Sequence, residues 1–342
     1  MDYKISVLIP AYNEERGIKK TINSCLNQTR KPDEIIVVND GSTDNTSSIL
    51  KSYGDKIKTI NLKKNTGNKS KAQEIGLKYI TGDIFITTDA DTRLDGKFIQ
   101  NAIKHFKTKS VSAVCGYVQS EKGNWITRVR EINYVIGQTI YKKAQADINA
   151  LFVLAGCASA FRTKDFKEVI TFEHDNITED LDFTYKLKLA NKKIVYETSA
   201  VVYTQDPNNL KSYCRQLNRW YSGGWTCLRK NKSIIKKPNN ALILFFIYLE
   251  GLVGGLLFIL SPLLILFDWK FFLLFVGIQF LMVSGTLMYG AIKRKELHLF
   301  KYIPHHYLLN IADNYIFIKT FFKEIIFKKK NKNLVWDKPK RY

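Results

Sequence analysis

The sequence predicts an α/β fold, a mostly parallel sheet with helices on both faces, followed by a helical hairpin that enters a membrane. Three observations carry this. Up to about Arg229 short β-rich runs alternate with helical patterns, as in βαβ units. Beyond Lys237 two long apolar stretches follow each other closely. The 342 residues are 45% apolar and 25% charged, which gives room for a full core and excludes a disordered chain.

Met1-Asp2-Tyr3-Lys4 leads directly into the first run, so no signal peptide or leading anchor is expected. The predicted order is strand 5–9, helix 14–26, strands 34–39 and 57–62, helix 69–79, strand 84–88, helix 97–106, and strands 112–118 and 194–202. Strands alternating with helices in this way imply a mostly parallel sheet covered on both faces. Ligands of such sheets bind outside the carboxyl ends of the strands, and chemistry is expected there.

Residues 241–267 carry one charge, Glu250, and residues 271–292 carry none. About 20 apolar residues cross the hydrocarbon core as a helix, so each stretch is long enough. Asp268-Trp269-Lys270 is the expected turn between them. Arg229, Lys230, Lys232, Lys236 and Lys237 precede the hairpin and Lys293, Arg294 and Lys295 follow it. The positive-inside rule then places both flanks on the cytoplasmic side, giving a multi-pass protein of the cell membrane with a cytoplasmic catalytic domain. Residues 302–327 mix Asn310, Asp313, Lys319 and Glu324 with aromatics and isoleucines. Crossing there would carry the basic tail 328–342 outside, so an amphipathic helix in the headgroup layer is expected, with a third span as the alternative. Residues 125–146 and 210–228 are further amphipathic candidates, either surface-seated or packed as ordinary helices. The expected division is a catalytic domain over 1–229 and a membrane region over 230–342.

Lys and Arg total 53 against 31 Asp and Glu, a net charge of +22. This calls for a polyanionic partner. The basic residues cluster around the apolar stretches and no nucleic-acid module is present, so anionic membrane lipid is the expected partner, at about 1 kcal/mol per basic residue, and nucleic acid is not. Cys25, Cys115, Cys157, Cys214 and Cys227 form no C-x-x-C or zinc spacing and read as reduced thiols.

The first strand ends in Pro10-Ala11-Tyr12-Asn13-Glu14 and the second in Asn39-Asp40-Gly41-Ser42-Thr43-Asp44. Neither has the G-x-G-x-x-G of a dinucleotide site, which removes the main support for an oxidoreductase. Asp40 is placed to accept the N3–H of a uracil, with Tyr12 offering a flat face; the alternative is a turn that caps the next helix. The fourth strand delivers Asp89-Ala90-Asp91. Two carboxylates at a buried strand end are costly without a cation, and alternate residues of an extended chain point the same way. Hard oxygen ligands suit Mg²⁺ or Mn²⁺, and Lys69 at the start of the third helix could neutralise the same diphosphate.

Thr178-Glu179-Asp180 and Gln216-Leu217-Asn218-Arg219-Trp220 follow. These two, with the 10–14, 39–44 and 89–91 segments in this order, resemble the family 2 inverting glycosyltransferases. The branch most resembled is that of the membrane poly-N-acetylglucosamine, hyaluronan, chitin and cellulose synthases. The resemblance implies a GT-A-like fold. It implies that Tyr12, Glu14, Asp40, Lys69, Asp89, Gln216 and Arg219 bind a nucleotide sugar and that Asp89 and Asp91 hold the metal. Asp180 matches the catalytic base, while Gly156, Cys157, Glu179 and Trp220 match the acceptor side. The chain departs from the pattern at Ala72-Gln73-Glu74 and in having two convincing spans. The expected function is transfer of GlcNAc from UDP-GlcNAc to a glycan with formation of a β-linkage, with processive synthesis in view. The alternatives are single transfer to a lipid-linked acceptor and an inactive nucleotide- or glycan-binding membrane protein. Two helices cannot enclose a polar path across lipid, so self-association or a membrane partner is also expected.

Overall fold

The computed structural model describes residues 3–121 and 123–327. In chain order the elements are β1 (Ile5–Ala11), α1 (Ile18–Leu26), β2 (Glu34–Asn39), α2 (Thr46–Lys51), β3 (Lys58–Asn61), α3 (Lys69–Leu77), β4 (Ile84–Thr87), β5 (Thr92–Leu94), α4 (Phe98–Ile103) and β6 (Val111–Ser120). Then come α5 (Trp125–Ile136), α6 (Lys142–Asp147), β7 (Ser159–Arg162), α7 (Thr163–Val169), α8 (Glu179–Leu189), β8 (Lys193–Thr204), α9 (Leu210–Lys230), α10 (Pro238–Leu249), α11 (Gly255–Leu260), α12 (Trp269–Arg294) and α13 (Ile303–Phe321). They divide into two compact units. The first holds the residues up to Gln119 together with Leu151–Gln205; the second holds Ser120–Ala150 and the described residues from Asp206 onward.

The first unit is an eight-stranded sheet in the order β3-β2-β1-β4-β7-β6-β8-β5. The expected parallel sheet occupies one half: β1 pairs in parallel with β2 and β4, and β2 with β3. Beyond β4 the sheet turns antiparallel, β4 with β7, β6 with β7 and β5 with β8. Every residue of β1 is buried, as an interior parallel strand requires. Only residues 88–91 separate β4 from β5, yet four strand steps lie between them in the sheet. A flat sheet would hold them roughly 19 Å apart, at the limit of what that link can span. The sheet therefore curls, so that a short turn carrying Asp89 and Asp91 can join the two strands.

In the second unit α9 lays Tyr213 and Leu217 against Ile126 and Val129 of α5 and Leu309 and Ile316 of α13. A second cluster joins Ile132 and Val135 of α5 to Leu287 and Ala291 of α12, Leu299 and Ile303. The two amphipathic segments expected at 125–146 and 210–228 thus bury their apolar faces here. Pro238–Leu266 and Trp269–Arg294 form helices of 29 and 26 residues, long and apolar enough to cross a membrane. Asp268 ends the turn between them, its carboxylate accepting from Lys270 N–H at 2.9 Å. The polar residues of the 302–327 segment mostly face partners. Asp313 Oδ1 accepts from Tyr213 O–H at 2.8 Å, Thr320 takes the indole N–H of Trp225 at 3.2 Å, and Asn314 packs on Gly255. The Phe317 ring covers Gly251. The basic tail expected at 328–342 lies outside the described residues.

Candidate active site

The donor end of the first unit is assembled from loops that leave β1, β2 and β4 on one edge of the sheet. Asn13 adopts a left-handed backbone, φ 51°, and its side-chain carbonyl accepts Thr43 N–H at 2.7 Å. Ser42 Oγ takes Asn13 N–H at 3.0 Å, so the first two strand-end loops are tied together. Glu14 is buried, with its N–H on Thr46 Oγ1 at 2.8 Å; Tyr12 beside it is half-buried. Asp40 is 5% exposed, and its two oxygens accept the N–H and O–H of Thr66 at 2.9 and 2.8 Å. Each oxygen keeps one lone-pair direction. Gly41 sits at φ +67°, and a β-carbon there would lie 2.4 Å from Asn65 N. Only glycine lets the 63–66 loop come this close to β2.

Lys69 opens α3, which Asn68 caps by accepting Ser70 N–H at 2.9 Å. The Lys69 ammonium lies 2.6 Å from Asp89 Oδ1 and 2.9 Å from Glu179 Oε1. Burial pulls its pKa down, but the two carboxylates outweigh burial and hold it above the usual lysine range. The Asp89–Asp91 link is braced from behind by α1, where Thr21 Oγ1 donates to Ala90 O at 2.9 Å. Thr92 N–H bonds back to Asp89 O at 3.1 Å.

The antiparallel pairing of β4 and β7 explains the rest of the cluster. Thr87 faces Ser159, so the exit of β4 lies beside the entry of β7 and brings Gly156 and Cys157 toward Asp89. Asp180, in the first turn of α8, accepts Leu181 N–H at 2.9 Å and Gly156 N–H at 3.4 Å. Burial pushes its carboxyl up to about 6; Glu179 adds to the rise and Lys69 opposes it. Burial also raises the Cys157 thiol well above its ordinary value, reinforced by Asp89 and opposed by Lys69, with Asp91 and Asp180 adding. A β-carbon on Gly156 would lie 3.3 Å from Lys69 Nζ and 3.5 Å from Asp180 Cβ, so Gly156 joins the Lys69–Asp89 pair to Asp180.

Among the described residues no group of three or more His, Cys, Asp or Glu side chains is arranged to hold a metal ion. Asp89 and Asp91 are both half-buried. Two carboxylates are a fitting donor set for Mg²⁺ or Mn²⁺, which take most of their ligands from water and substrate phosphates rather than from an all-protein cage.

Sequence reasoning missed a clamp behind this cluster. His174 Nδ1 lies 2.7 Å from Ser70 Oγ, its Nε2 lies 3.0 Å from Glu74 Oε2, and its carbonyl accepts Asn68 Nδ2–H at 2.9 Å. These bonds tie the segment before Glu179-Asp180 to the start of the Lys69 helix. No sequence signal links residues a hundred positions apart.

Gln216, Arg219 and Trp220 belong to the second unit. They stand at i, i+3 and i+4 of α9, hence on one helix face. All three are half-buried. Arg130 of α5, which sequence reasoning also passed over, donates to Gln216 Oε1 at 3.1 Å, and its guanidinium carbon lies 4.9 Å from the Trp220 ring centre.

Comparison with known proteins follows this geometry. Residues 6–170 match the family Glycosyl transferase family 2. A poly-β-1,6-N-acetyl-D-glucosamine synthase of Staphylococcus epidermidis is 29% identical over 248 residues, 71% of this chain and 60% of the relative. That of Staphylococcus aureus strain COL is 30% identical over 232 residues, 66% of this chain and 56% of the relative. The chain thus spans about 60% of the length of these curated relatives. Among solved structures, the mannosyltransferase PcManGT of Pyrobaculum calidifontis, in complex with GDP-Man and Mn²⁺, aligns with a TM-score of 0.66 at 19% identity, covering 96% of this chain and 89% of that one. S. aureus TarS 1–349 in complex with UDP-GlcNAc aligns at 0.53 with 18% identity, covering 94% and 92%. The loops that carry Asp40, Lys69, Asp89 and Asp91 all fall within the segment that matches Glycosyl transferase family 2, and the fold is GT-A-like α/β.

Proposed function

We propose that the chain transfers GlcNAc from UDP-GlcNAc to a glycan acceptor with inversion, forming a β-linkage, at the cytoplasmic face of a cell membrane. The observation that carries this reading is the Lys69 ammonium held between Asp89 and Glu179 with the Asp180 carboxyl beside it. A cation held in this way supports the role of Lys69 toward a departing diphosphate, and the neighbouring carboxyl supports that of Asp180 as the base. In the proposed reaction an acceptor hydroxyl attacks the anomeric carbon, Asp180 receives the hydroxyl proton, and the bond from that carbon to the diphosphate breaks on the opposite side. Lys69 stabilises the departing UDP, released from its carboxylates as the phosphates arrive. Asp40 and Tyr12 seat the uracil, and Glu14 supports that loop from its buried position. Gly156, Cys157 and Glu179 border the acceptor. Within the second unit, Gln216 and Arg219 are assigned to the nucleotide diphosphate and Trp220 to stacking on a sugar ring. A divalent ion held by Asp89 and Asp91 would add charge neutralisation at the diphosphate.

The matched synthases carry names that state poly-β-1,6-GlcNAc, and the TarS complex holds UDP-GlcNAc; both support the choice of donor sugar. The two long apolar helices support a membrane location, with anionic lipid under the basic flanks. They also favour a second reading, single transfer to a lipid-linked acceptor, because the two long apolar helices among the described residues do not enclose a channel. Release of UDP from a panel of UDP-sugars by the purified protein tests the activity. Release from UDP-GlcNAc above all others is expected, and no release from any donor would leave a binding protein. Product length on a gel then separates polymer synthesis from single transfer.

A further inference from the structure

Arg130 is 4% exposed, yet its buried charge is only thinly satisfied. Its guanidinium makes one hydrogen bond to Gln216, its Nε lies 3.8 Å from Asp206 Oδ1 and has no hydrogen-bond partner among the described residues. The Asp206 oxygen is shared with Tyr134 O–H at 3.0 Å. The guanidinium also lies 4.6 Å from the Tyr213 ring centre and 4.9 Å from that of Trp220. Tyr213 is in turn fixed by its O–H on Asp313. A buried ion pair of this quality adds little stability over an apolar side chain of equal volume. What an arginine provides here, and a methionine would not, is orientation.

We propose that Arg130 is a positioning residue, which locks the Gln216 amide with its NH₂ end turned away from the guanidinium and holds the Trp220 ring by its face. The inference rests on the assignment of Gln216 to the diphosphate and Trp220 to the acceptor sugar. The logic is one of donors and acceptors. Arginine has five N–H donors and no acceptor, so the Gln216 carbonyl is the end that must face it. The amide NH₂ is then left to donate, which suits an anionic diphosphate oxygen. Cation–π contact at these distances holds an aromatic face without adding a polar group of its own. Lysine at 130 would keep the charge but lose the planar fork that reaches Gln216 and both rings at once.

Equilibrium binding of UDP to the full-length protein, with the KM for a β-linked GlcNAc oligosaccharide, tests this in the variants Arg130→Lys, Gln216→Ala, Gln216→Glu and the Arg130→Lys/Gln216→Ala double. Gln216→Glu keeps the contact to Arg130 as an ion pair but replaces the outward donor by a carboxylate oxygen. It should fold normally and bind UDP about tenfold more weakly or worse. Arg130→Lys should weaken UDP binding and raise the acceptor KM, and the double variant should bind UDP no more weakly than Gln216→Ala alone. Multiplying losses in the double variant, or undiminished UDP binding by Gln216→Glu, would overturn the positioning role while leaving the assignment of Gln216 intact if Gln216→Ala is itself weakened. Undiminished UDP binding by Gln216→Ala would instead remove that assignment, and the inference with it. The Gln216→Glu arm keeps the proposal open to failure even if Arg130→Lys does not fold.

Discussion

Asp180 holds its carboxyl up to about 6, against an ordinary value of 3.8, so its work is pH-dependent in a defined direction. A base must be unprotonated, and kcat/KM is expected to climb as pH rises through about 6. Asp180→Asn keeps the shape but cannot take a proton; turnover should fall ~10²-fold or more and UDP affinity should survive. Normal turnover would make Glu179 the next candidate. The same shift bears on stability. A raised folded-state value means the contribution of this carboxyl is fully present below about 4 and lost as pH rises through about 6. The Asn variant should therefore melt higher than the parent at pH 8, with the gap closing below pH 6. For the metal, excess chelator should abolish turnover, Mn²⁺ or Mg²⁺ should restore it, and Asp91→Ala should stay inactive under either; full activity in chelator would sink the metal assignment. Asp40, Asp89, Asp91 and Lys69 were legible in the sequence because each sits at a strand exit or helix start that periodicity locates. Arg130 and His174 were not, because their partners lie 86 and about a hundred residues away and no local pattern encodes such a meeting.

At the level of elements, the parallel half of the sheet was readable, as were β6 and β8 beyond it, whereas β5 and β7 were not. β5 and β7 are three and four residues long, too short for alternation to stand out from chance. The pairing of β7 with β4 is nonetheless what brings Gly156 and Cys157 to Asp89. The apolar helices were legible in full, because length and absence of charge need no partner to be seen. Their neighbour α13 was ambiguous as a span, since two of the polar residues in its sequence, Asp313 and Asn314, are answered by Tyr213 and Gly255 from distant parts of the chain. Gly41 supports a prediction here. Gly41→Ala must carry a β-carbon into the backbone at Lys64 and Asn65 from a left-handed conformation, at a cost on the order of 1–3 kcal/mol. A lower melting temperature together with weakened UDP binding is expected. If melting and UDP affinity both match the parent, the close approach of the 63–66 loop does not position Asp40.

For the whole molecule, Leu266 and Leu281 on the two apolar helices and Phe267 in the turn between them are 80%, 71% and 84% exposed, a surface that water does not tolerate at this extent. The protein should sediment with membranes and need detergent for extraction; release by high salt or carbonate would contradict a spanning hairpin. In sealed vesicles containing monomeric protein, with donor outside, product should stay open to an added glycan-degrading enzyme. Protected product would show that one copy suffices for export. The chain order of the elements has a consequence for synthesis. All eight strands precede Thr204, and the first apolar helix starts at Pro238, so the sheet can close before that helix has been made. α5 is in the opposite position. It is translated between β6 and β7, but the residues that cover Ile126, Val129, Ile132 and Val135 arrive only with α9, α12 and α13. Ribosomes stalled after Lys237, with α9 made but still inside the exit tunnel, should therefore carry a protease-resistant sheet with the 125–136 helix still open to cleavage, resting on whatever apolar surface the cell puts beside it until its own partners emerge.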